Sequence, residues 1–354
     1  MQNKPLSRRA WLRAAGGAAV LGAIPFTISK ASAQSGRKPN SKVAGVQLGV
    51  TTYSYGSMPH KVDDVVQYLL YAGVDSIELR NVAEEDLGIP EVPRRPRGGA
   101  PLTEQEKAEL AKAAESVRVA QRQWRLSLPM ERYAHMRKKF NDAGIEVYIA
   151  KFAPSAWSDE EIDYAYTAAK TLGSIGITDE LSEQACRRLG TFAEKHRSLA
   201  MFHTHGQVAD AGFSFDKYLA YSPANLLNLD AGHYYGATGL HPNDVIVRYH
   251  DRMRSIHIKD KTGPKHATPN ANKPFGQGET PIADVLQLLK KEKWPIRVDV
   301  ELEYPIPEGS DAAKETKKCI DYMKQTDWSG VVSIECYGSD ENIRRSVEFL
   351  RGIV

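Results

Sequence analysis

From about residue 47 onward the chain alternates between two periods. Short runs that are apolar throughout, or apolar at every second position, are each followed by a longer stretch with apolar residues three and four apart. The first pattern is that of a buried strand, the second that of a helix laying one stripe on a core. Strands are predicted at residues 47–55, 75–80, 145–152, 174–178, 199–205, 225–230, 254–259 and 297–304. Helices are predicted between them, for example 60–71 with Val62, Val65, Val66, Leu69 and Leu70, and 282–290 with Val285, Leu286, Leu288 and Leu289. Eight strand-helix units predict an α/β fold, a (β/α)8 TIM barrel, whose reacting groups gather at the C-terminal ends of the strands.

Two segments exceed that plan. Residues 82–141 form an insertion after the second strand: a loop with Pro90, Pro93 and Pro96, then a charged helical stretch from Thr103 to about Arg125. Its first part is expected either to overhang the strand ends as a lid or to decorate the outside. The second excess is the C-terminus, residues 327–354, with a further strand VVSIECYG and a further helix ENIRRSVEFLRG. A closed barrel has no free edge, so this strand is expected outside it, against outer helices or a partner subunit, which leaves a homo-oligomer open. The barrel itself is assigned to residues 46–326.

The N-terminus reads Ser7-Arg8-Arg9-Ala10-Trp11-Leu12-Arg13, then a mild Ala- and Gly-rich apolar stretch, then Ala31-Ser32-Ala33. It resembles a twin-arginine export signal cut after Ala33, followed by a linker at 34–45, and so implies a periplasmic address. The apolar run is too short and too rich in glycine for a good membrane span, and no other segment could cross a bilayer. Of the 354 residues 42% are hydrophobic and 26% charged, ordinary for a soluble protein with a large core. A net charge of +3 gives no broad basic field, which disfavours nucleic acid as a partner. Cys186, Cys319 and Cys336 are too few and scattered for a disulfide framework or zinc cluster. They are expected to pack as small apolar groups, although one pair could bridge.

Candidate chemistry is concentrated in four runs, LAMFHTHG, ANLLNLDAGH, MRSIHIKD and IRVDVELEY. Strand side chains alternate faces, so His203 shares a face with His205, Asn228 with Asp230, His257 with Lys259, and Asp299 with Glu301 and Glu303. The steps from His203 to Asp230 and from Asp230 to His257 are each 27 residues, about one strand-helix-strand crossover. Parallel strands would therefore bring these ends together. Imidazole with carboxylate and no thiolate is the donor set of manganese, cobalt, iron or catalytic zinc.

At this point the chain resembles the xylose-isomerase-like TIM-barrel superfamily of sugar (phosphate) isomerases and epimerases. The resemblance rests on the order of GVTTYSY, AGVDSIELR, FHTHG, LNLDAGH, IHIKD, FGQGETPI and VELEYP, and covers nearly everything from Gln47 onward. It implies one divalent ion, manganese first, with cobalt, iron, magnesium or zinc as alternatives. The ligands it implies are Asp230, His257, Glu301 and a fifth-strand histidine, taken as His203 with His205 as the open alternative. The sugar 3-epimerase pattern has glutamate in that fifth-strand place, as ligand and as acid/base. FHTHG is more similar to a His-x-His branch that includes inosose dehydratase-like and oxo-glycoside-cleaving relatives.

With these ligands goes proton abstraction beside a metal-bound carbonyl, giving an enediolate. Candidate bases are His205, Glu303 and Lys151, in that order. Tyr53, Glu78, His233 and Lys259 are assigned to a carbohydrate substrate, and Tyr53, Trp157 and Tyr234 could stack on its ring. Each has a bland alternative: a strand-end carboxylate can cap a turn, Glu78 and Lys151 can be structural ion pairs, and strand-end aromatics often only pack. The first reading is a sugar isomerase or epimerase. A lyase acting on a 3-oxo-glycoside and a sugar-binding barrel without catalysis are the alternatives. Two segments could supply the closing glutamate, Glu301 and Glu335; Glu301 is preferred because seven strands precede it at ordinary spacing.

Overall fold

The computed structural model describes residues 38–80, 82–91 and 102–326. The expected export signal at 1–33 and the extra C-terminal unit at 327–354, with Glu335 and Cys336, lie outside the described residues. Eight parallel strands form the barrel: β1 (Val46–Thr51), β2 (Ser76–Arg80), β3 (Glu146–Lys151), β4 (Gly176–Glu180), β5 (Leu199–His203), β6 (Asn225–Asp230), β7 (Met253–Ile258) and β8 (Arg297–Val300). Each pairs with its neighbours in chain order. The cylinder closes where Val298 of β8 registers with Leu48 of β1 and Val50 of β1 with Ile77 of β2. Every residue of β6 is buried, as expected for a strand covered on both faces.

The helices follow from local signals. Helix α1 (Val62–Ala72) turns Val62, Val65, Val66 and Leu69 onto the barrel. Between β2 and β3 come α2 (Val82–Leu87), α3 (Glu104–Ser127) and α4 (Glu131–Asp142). Only α4 has an ordinary barrel-facing stripe, with Tyr133, Met136 and Phe140 buried. The expected insertion is therefore α2 and α3, while its last part is the regular helix of the second unit. Thr103 caps α3 through its side chain, in a reciprocal pair with Glu106. Helix α5 (Asp159–Leu172) begins with the same device at Ser158 and Glu161, and α6 (Glu183–His196) is capped by Ser182. Helix α7 (Phe215–Leu219) precedes β6, and α8 (Ala231–Thr238) and α9 (Pro242–Tyr249) follow it. After β7 a short antiparallel pair joins Asp260–Lys261 to Asn272–Lys273 and leads to α10 (Ile282–Glu292). After β8, α11 (Ala312–Thr326) packs against α1 and completes the helical ring.

Several strand boundaries differ from the prediction. The first strand stops at Thr51 and becomes a 3-10 turn at Thr52–Tyr55; the eighth stops at Val300 and the fifth at His203. The fourth runs two residues later than expected, because the backbone N–H of Ser174 donates to Ala169 O and closes the end of α5 instead of entering the sheet. The end of the expected linker is part of the fold: Lys42–Val43 pairs antiparallel with the start of β1, and Ser41 Oγ donates to Leu48 O at 2.8 Å. Cys186 and Cys319 are both buried. Among the described residues no helix is long and apolar enough to cross a membrane.

Candidate active site

The strand alternation delivers its side chains into the C-terminal mouth of the barrel. His203 ends β5, Asp230 ends β6, His257 lies one residue before the end of β7, and Glu301 follows β8 directly. All four are buried, and each offers a ligand atom within 4.8 Å of the others. The register across the sheet makes this possible, since Asp230 pairs with His257 and His203 with Asn228. Gly232 is needed close by: a Cβ there would lie 2.4 Å from Lys259 O and 2.5 Å from its Cγ, so a side chain would push Lys259 out of place.

Lys259 is the cation of this group. Its ammonium lies 3.1 Å from Asp230 Oδ2, 3.2 Å from Glu301 Oε2 and 2.7 Å from Glu303 Oε2, and it reaches His233 Nε2 at 3.1 Å. His257 sits between two carboxylates, with Nδ1 2.6 Å from Glu301 and Nε2 2.8 Å from Glu78. Burial opposes a charge on His257, but Glu78 and Glu301 outweigh it and hold its pKa well above the ordinary value. Burial would likewise raise Glu301, yet Lys259 and His257 hold it well below. His203 is the reverse case: burial and the neighbouring His257 depress its pKa strongly, so it is neutral. Burial, with Lys259 and Lys261, takes His233 down to about 3. Burial also raises Asp230.

These residues fit a divalent cation on three observations. His203 Nδ1 is buried with no hydrogen-bond partner, and Asp230 Oδ2 has only the Lys259 ammonium, 3.1 Å away and off hydrogen-bond geometry. The donor set is two imidazoles and two carboxylates, suited to manganese, iron, cobalt or zinc. Finally, Glu78, Asp230, Glu301 and Glu303, counted as ionised, face Lys259 and the protonated His257, which leaves two negative charges over. A metal on His257 would replace one of the protons it now shares with a carboxylate.

Beside this group stands a second one, which sequence reasoning found only in part. Lys151 Nζ, at the end of β3, donates to Glu180 Oε1 at 2.5 Å, and His205 Nε2 lies 2.9 Å from Glu180 Oε2. Burial would raise Glu180, but the hydrogen bond from His205 and the charge of Lys151 outweigh it and bring its pKa to about 2. The rings of His203 and His205 are 4.7 Å apart, as expected for two histidines on one strand face. Lys151, Glu180, His203, His205, His257, Glu301 and Glu303 line one cavity of about 130 Å³. Glu180 was missed because the fourth strand was predicted to end at Thr178; the available signal was the acidic pair Asp179-Glu180 following an apolar run.

The remaining candidates fall as follows. Glu78 is deep in the barrel, accepting from Asn228 Nδ2 at 2.8 Å as well as meeting His257. Tyr53 stands at the rim, half-exposed, with the Arg80 guanidinium 4.4 Å over its ring. Trp157 is not at the mouth: Arg125 lies 3.5 Å over its ring, so it packs under the inserted helix. Tyr234 is buried in α8.

No protein-family model and no curated protein matches the chain. Among solved structures, it is similar to a xylose isomerase domain protein from Alicyclobacillus acidocaldarius, with a TM-score of 0.53 and 14% identity, over 79% of this chain and 99% of that one. It is also similar to a sugar phosphate isomerase/epimerase from Parabacteroides distasonis, with a TM-score of 0.51 and 16% identity, over 82% of this chain and 97% of that one. At such identities the likeness is one of fold alone, a TIM barrel.

Proposed function

We propose that this chain is a divalent-metal-dependent isomerase or epimerase of a small carbohydrate, acting in the periplasm at a carbon beside a carbonyl. The observation that carries this reading is the juxtaposition in one barrel mouth of a ligand group, His203, Asp230, His257 and Glu301, in which His203 Nδ1 has no partner, and a His205-Glu180-Lys151 set beside it. His203, Asp230, His257 and Glu301 would hold the ion. When bound, it would polarise a carbonyl and a neighbouring hydroxyl and so lower the cost of charge developing as the C–H proton leaves.

The chain's own residues divide the proton work. Glu180 engages His205 Nε2, which leaves Nδ1 as the basic nitrogen, and the half-exposed ring borders the cavity. His205 is thus the group that takes the proton. Glu303 is the weaker base, because its carboxylate is already paired with Lys259 at 2.7 Å. Lys151, buried and paired with Glu180, is a donor for a substrate oxygen. Returning the proton to the neighbouring carbon isomerises the sugar, and returning it to the other face of the same carbon epimerises it. Loss of a β-substituent instead makes the protein a lyase.

The test is metal analysis of the purified protein followed by incubation with free ketoses and 3-oxo-glucosides in deuterated water. Deuterium at the carbon beside the carbonyl, without bond cleavage, is the expected result. Release of the aglycone turns the reading to a lyase, and absence of exchange with the metal present turns it to a sugar-binding barrel.

A further inference from the structure

Two cavities meet at the barrel mouth. The inner one, about 130 Å³, lies over the proposed metal group. The outer cleft, about 610 Å³, opens beside the ends of β1, β2 and β8. Tyr53, Arg80 and Glu303 belong to both walls, so the two spaces are adjacent compartments of one site. The inner cavity is smaller than the roughly 150 Å³ that one benzene occupies. It therefore takes the reacting carbons beside an ion but not a whole hydroxylated ring, and the rest of the substrate has to pass Arg80.

Arg80 is set apart by its charge balance. Of the other cations at the mouth, Lys151 meets Glu180 at 2.5 Å and Lys259 meets Glu303 at 2.7 Å. The second carboxylate of the outer wall, Glu85, faces His60 at 3.0 Å. Among the described residues the half-buried Arg80 guanidinium has no carboxylate partner, and it rests over the Tyr53 ring at 4.4 Å. Contact with a π cloud supplies no oxygen acceptor, so the guanidinium fork still has hydrogen bonds to give. The root of the side chain is fixed as well: Thr52 Oγ1 accepts from the Arg80 N–H at 2.8 Å and donates to Arg80 O at 3.2 Å. An arginine held by its backbone and by a ring, in a cavity wall and with its fork unfilled, is a receptor for an anion.

The anion that matches it is a carboxylate. A planar fork pairs with two coplanar oxygens through two parallel hydrogen bonds. A phosphate is ordinarily gathered by several donors, from a helix N-terminus or a set of cations. Here the neighbouring cations already face carboxylates of the protein, which leaves a single fork.

We infer that Arg80 binds a carboxylate of the substrate, which is accordingly a sugar acid with its carbonyl end in the inner cavity. The inference rests on the reading of the inner group as a metal-dependent isomerase or epimerase site. D-fructose, D-fructuronate and D-fructose 6-phosphate share one ketone and differ at the far carbon, which carries a hydroxyl, a carboxylate or a phosphate. The metal-loaded full chain is to be assayed for deuterium uptake beside that ketone. The expected kcat/KM is about 10-fold or more higher for fructuronate than for fructose, the scale of a hydrogen bond to a charged group. Arg80→Met should bring that ratio to near one. Arg80→Lys, which keeps the charge but loses the fork, should lower it by less, and serves alone if the methionine variant does not fold. A ratio near one in the native chain, a ratio untouched by the substitutions, or fructose 6-phosphate as the best substrate of the three overturns the inference. If none of the three exchanges, the proposed reaction falls, and calorimetry with D-gluconate and D-sorbitol, which have no ketone, decides Arg80 separately. Tighter gluconate binding that Arg80→Met abolishes upholds the assignment. Equal affinities, or gluconate binding that Arg80→Met leaves intact, overturn it.

Discussion

Arg125 is the one side chain that the long helix α3 buries, so Arg125→Met tests what holds the insertion to the barrel. Its Nε and one terminal nitrogen meet both carboxylate oxygens of Glu84 on α2 at 2.8 and 3.1 Å. The other terminal nitrogen reaches Glu161 on α5 at 3.0 Å, and the guanidinium plane rests on Trp157. Tyr164 Oη donates to Glu84 at 3.2 Å but brings no charge. The variant would leave two buried carboxylates without their cation, and removal of one partner from a buried pair costs about 3–5 kcal/mol. At about 2–4 °C per kcal/mol for a domain of this size class, the melting temperature should fall by roughly 6–20 °C. Calorimetry and circular dichroism would measure it. The triple variant Arg125→Met, Glu84→Gln, Glu161→Gln should recover more than half of the loss, because most of the penalty is the stranded charge and not the missing attraction. A loss below about 1 kcal/mol in the single variant, or a triple variant no more stable than the single, refutes this account.

The other predictions concern the mouth. Asp230→Ala should lose both metal and activity with an unchanged circular dichroism spectrum, and full metal content in that variant refutes the ligand assignment. His203→Ala should abolish metal binding, whereas His205→Ala should keep the metal and lower turnover by roughly 100-fold; equal metal loss from both makes them joint ligands. Glu180→Gln should lower kcat by about 10-fold or more with metal content unchanged, since it holds both His205 and Lys151 in place, and metal loss there places Glu180 among the ligands instead. Glu301→Gln should lose metal while Glu335→Gln retains it, and the reverse result makes the C-terminal segment the source of the closing glutamate.

Much of this mouth was legible because a barrel strand has only two faces. His203 with His205, Asn228 with Asp230, and His257 with Lys259 were paired by alternation alone, and each pair stands on the inner face. Glu180 shows the limit. Ser174 reads as strand, but its N–H is taken by Ala169 O at the end of α5; Ile175 N–H is the first to reach β3, at Tyr148 O, and the strand then runs from Gly176 to Glu180. A shift of two residues keeps every side chain on its face. Thr178 still points inward to Glu78, and Glu180 follows it on the same side, in register with His203. Periodicity fixes the face; the ends of the strand depend on which distant groups compete for its backbone.

The eighth strand makes the same point from the other direction. Alternation predicted strand as far as Tyr304, yet the sheet ends at Val300, and the inward direction of Glu301 and Glu303 survives nonetheless. The backbone is kept extended by substitutes for a sheet partner. Glu301 N–H still donates to Ile258 O at 3.0 Å, but the next donor, Leu302 N–H, is taken at 3.0 Å by the hydroxyl of Ser54. Ser54 is available because β1 breaks at Thr51 into a 3-10 turn, which withdraws the neighbouring strand and puts a side chain where its carbonyl would have been. That exchange joins residues 248 positions apart. No local pattern encodes such a pairing, and it opens the gap in the rim where Tyr53 stands and the outer cleft begins.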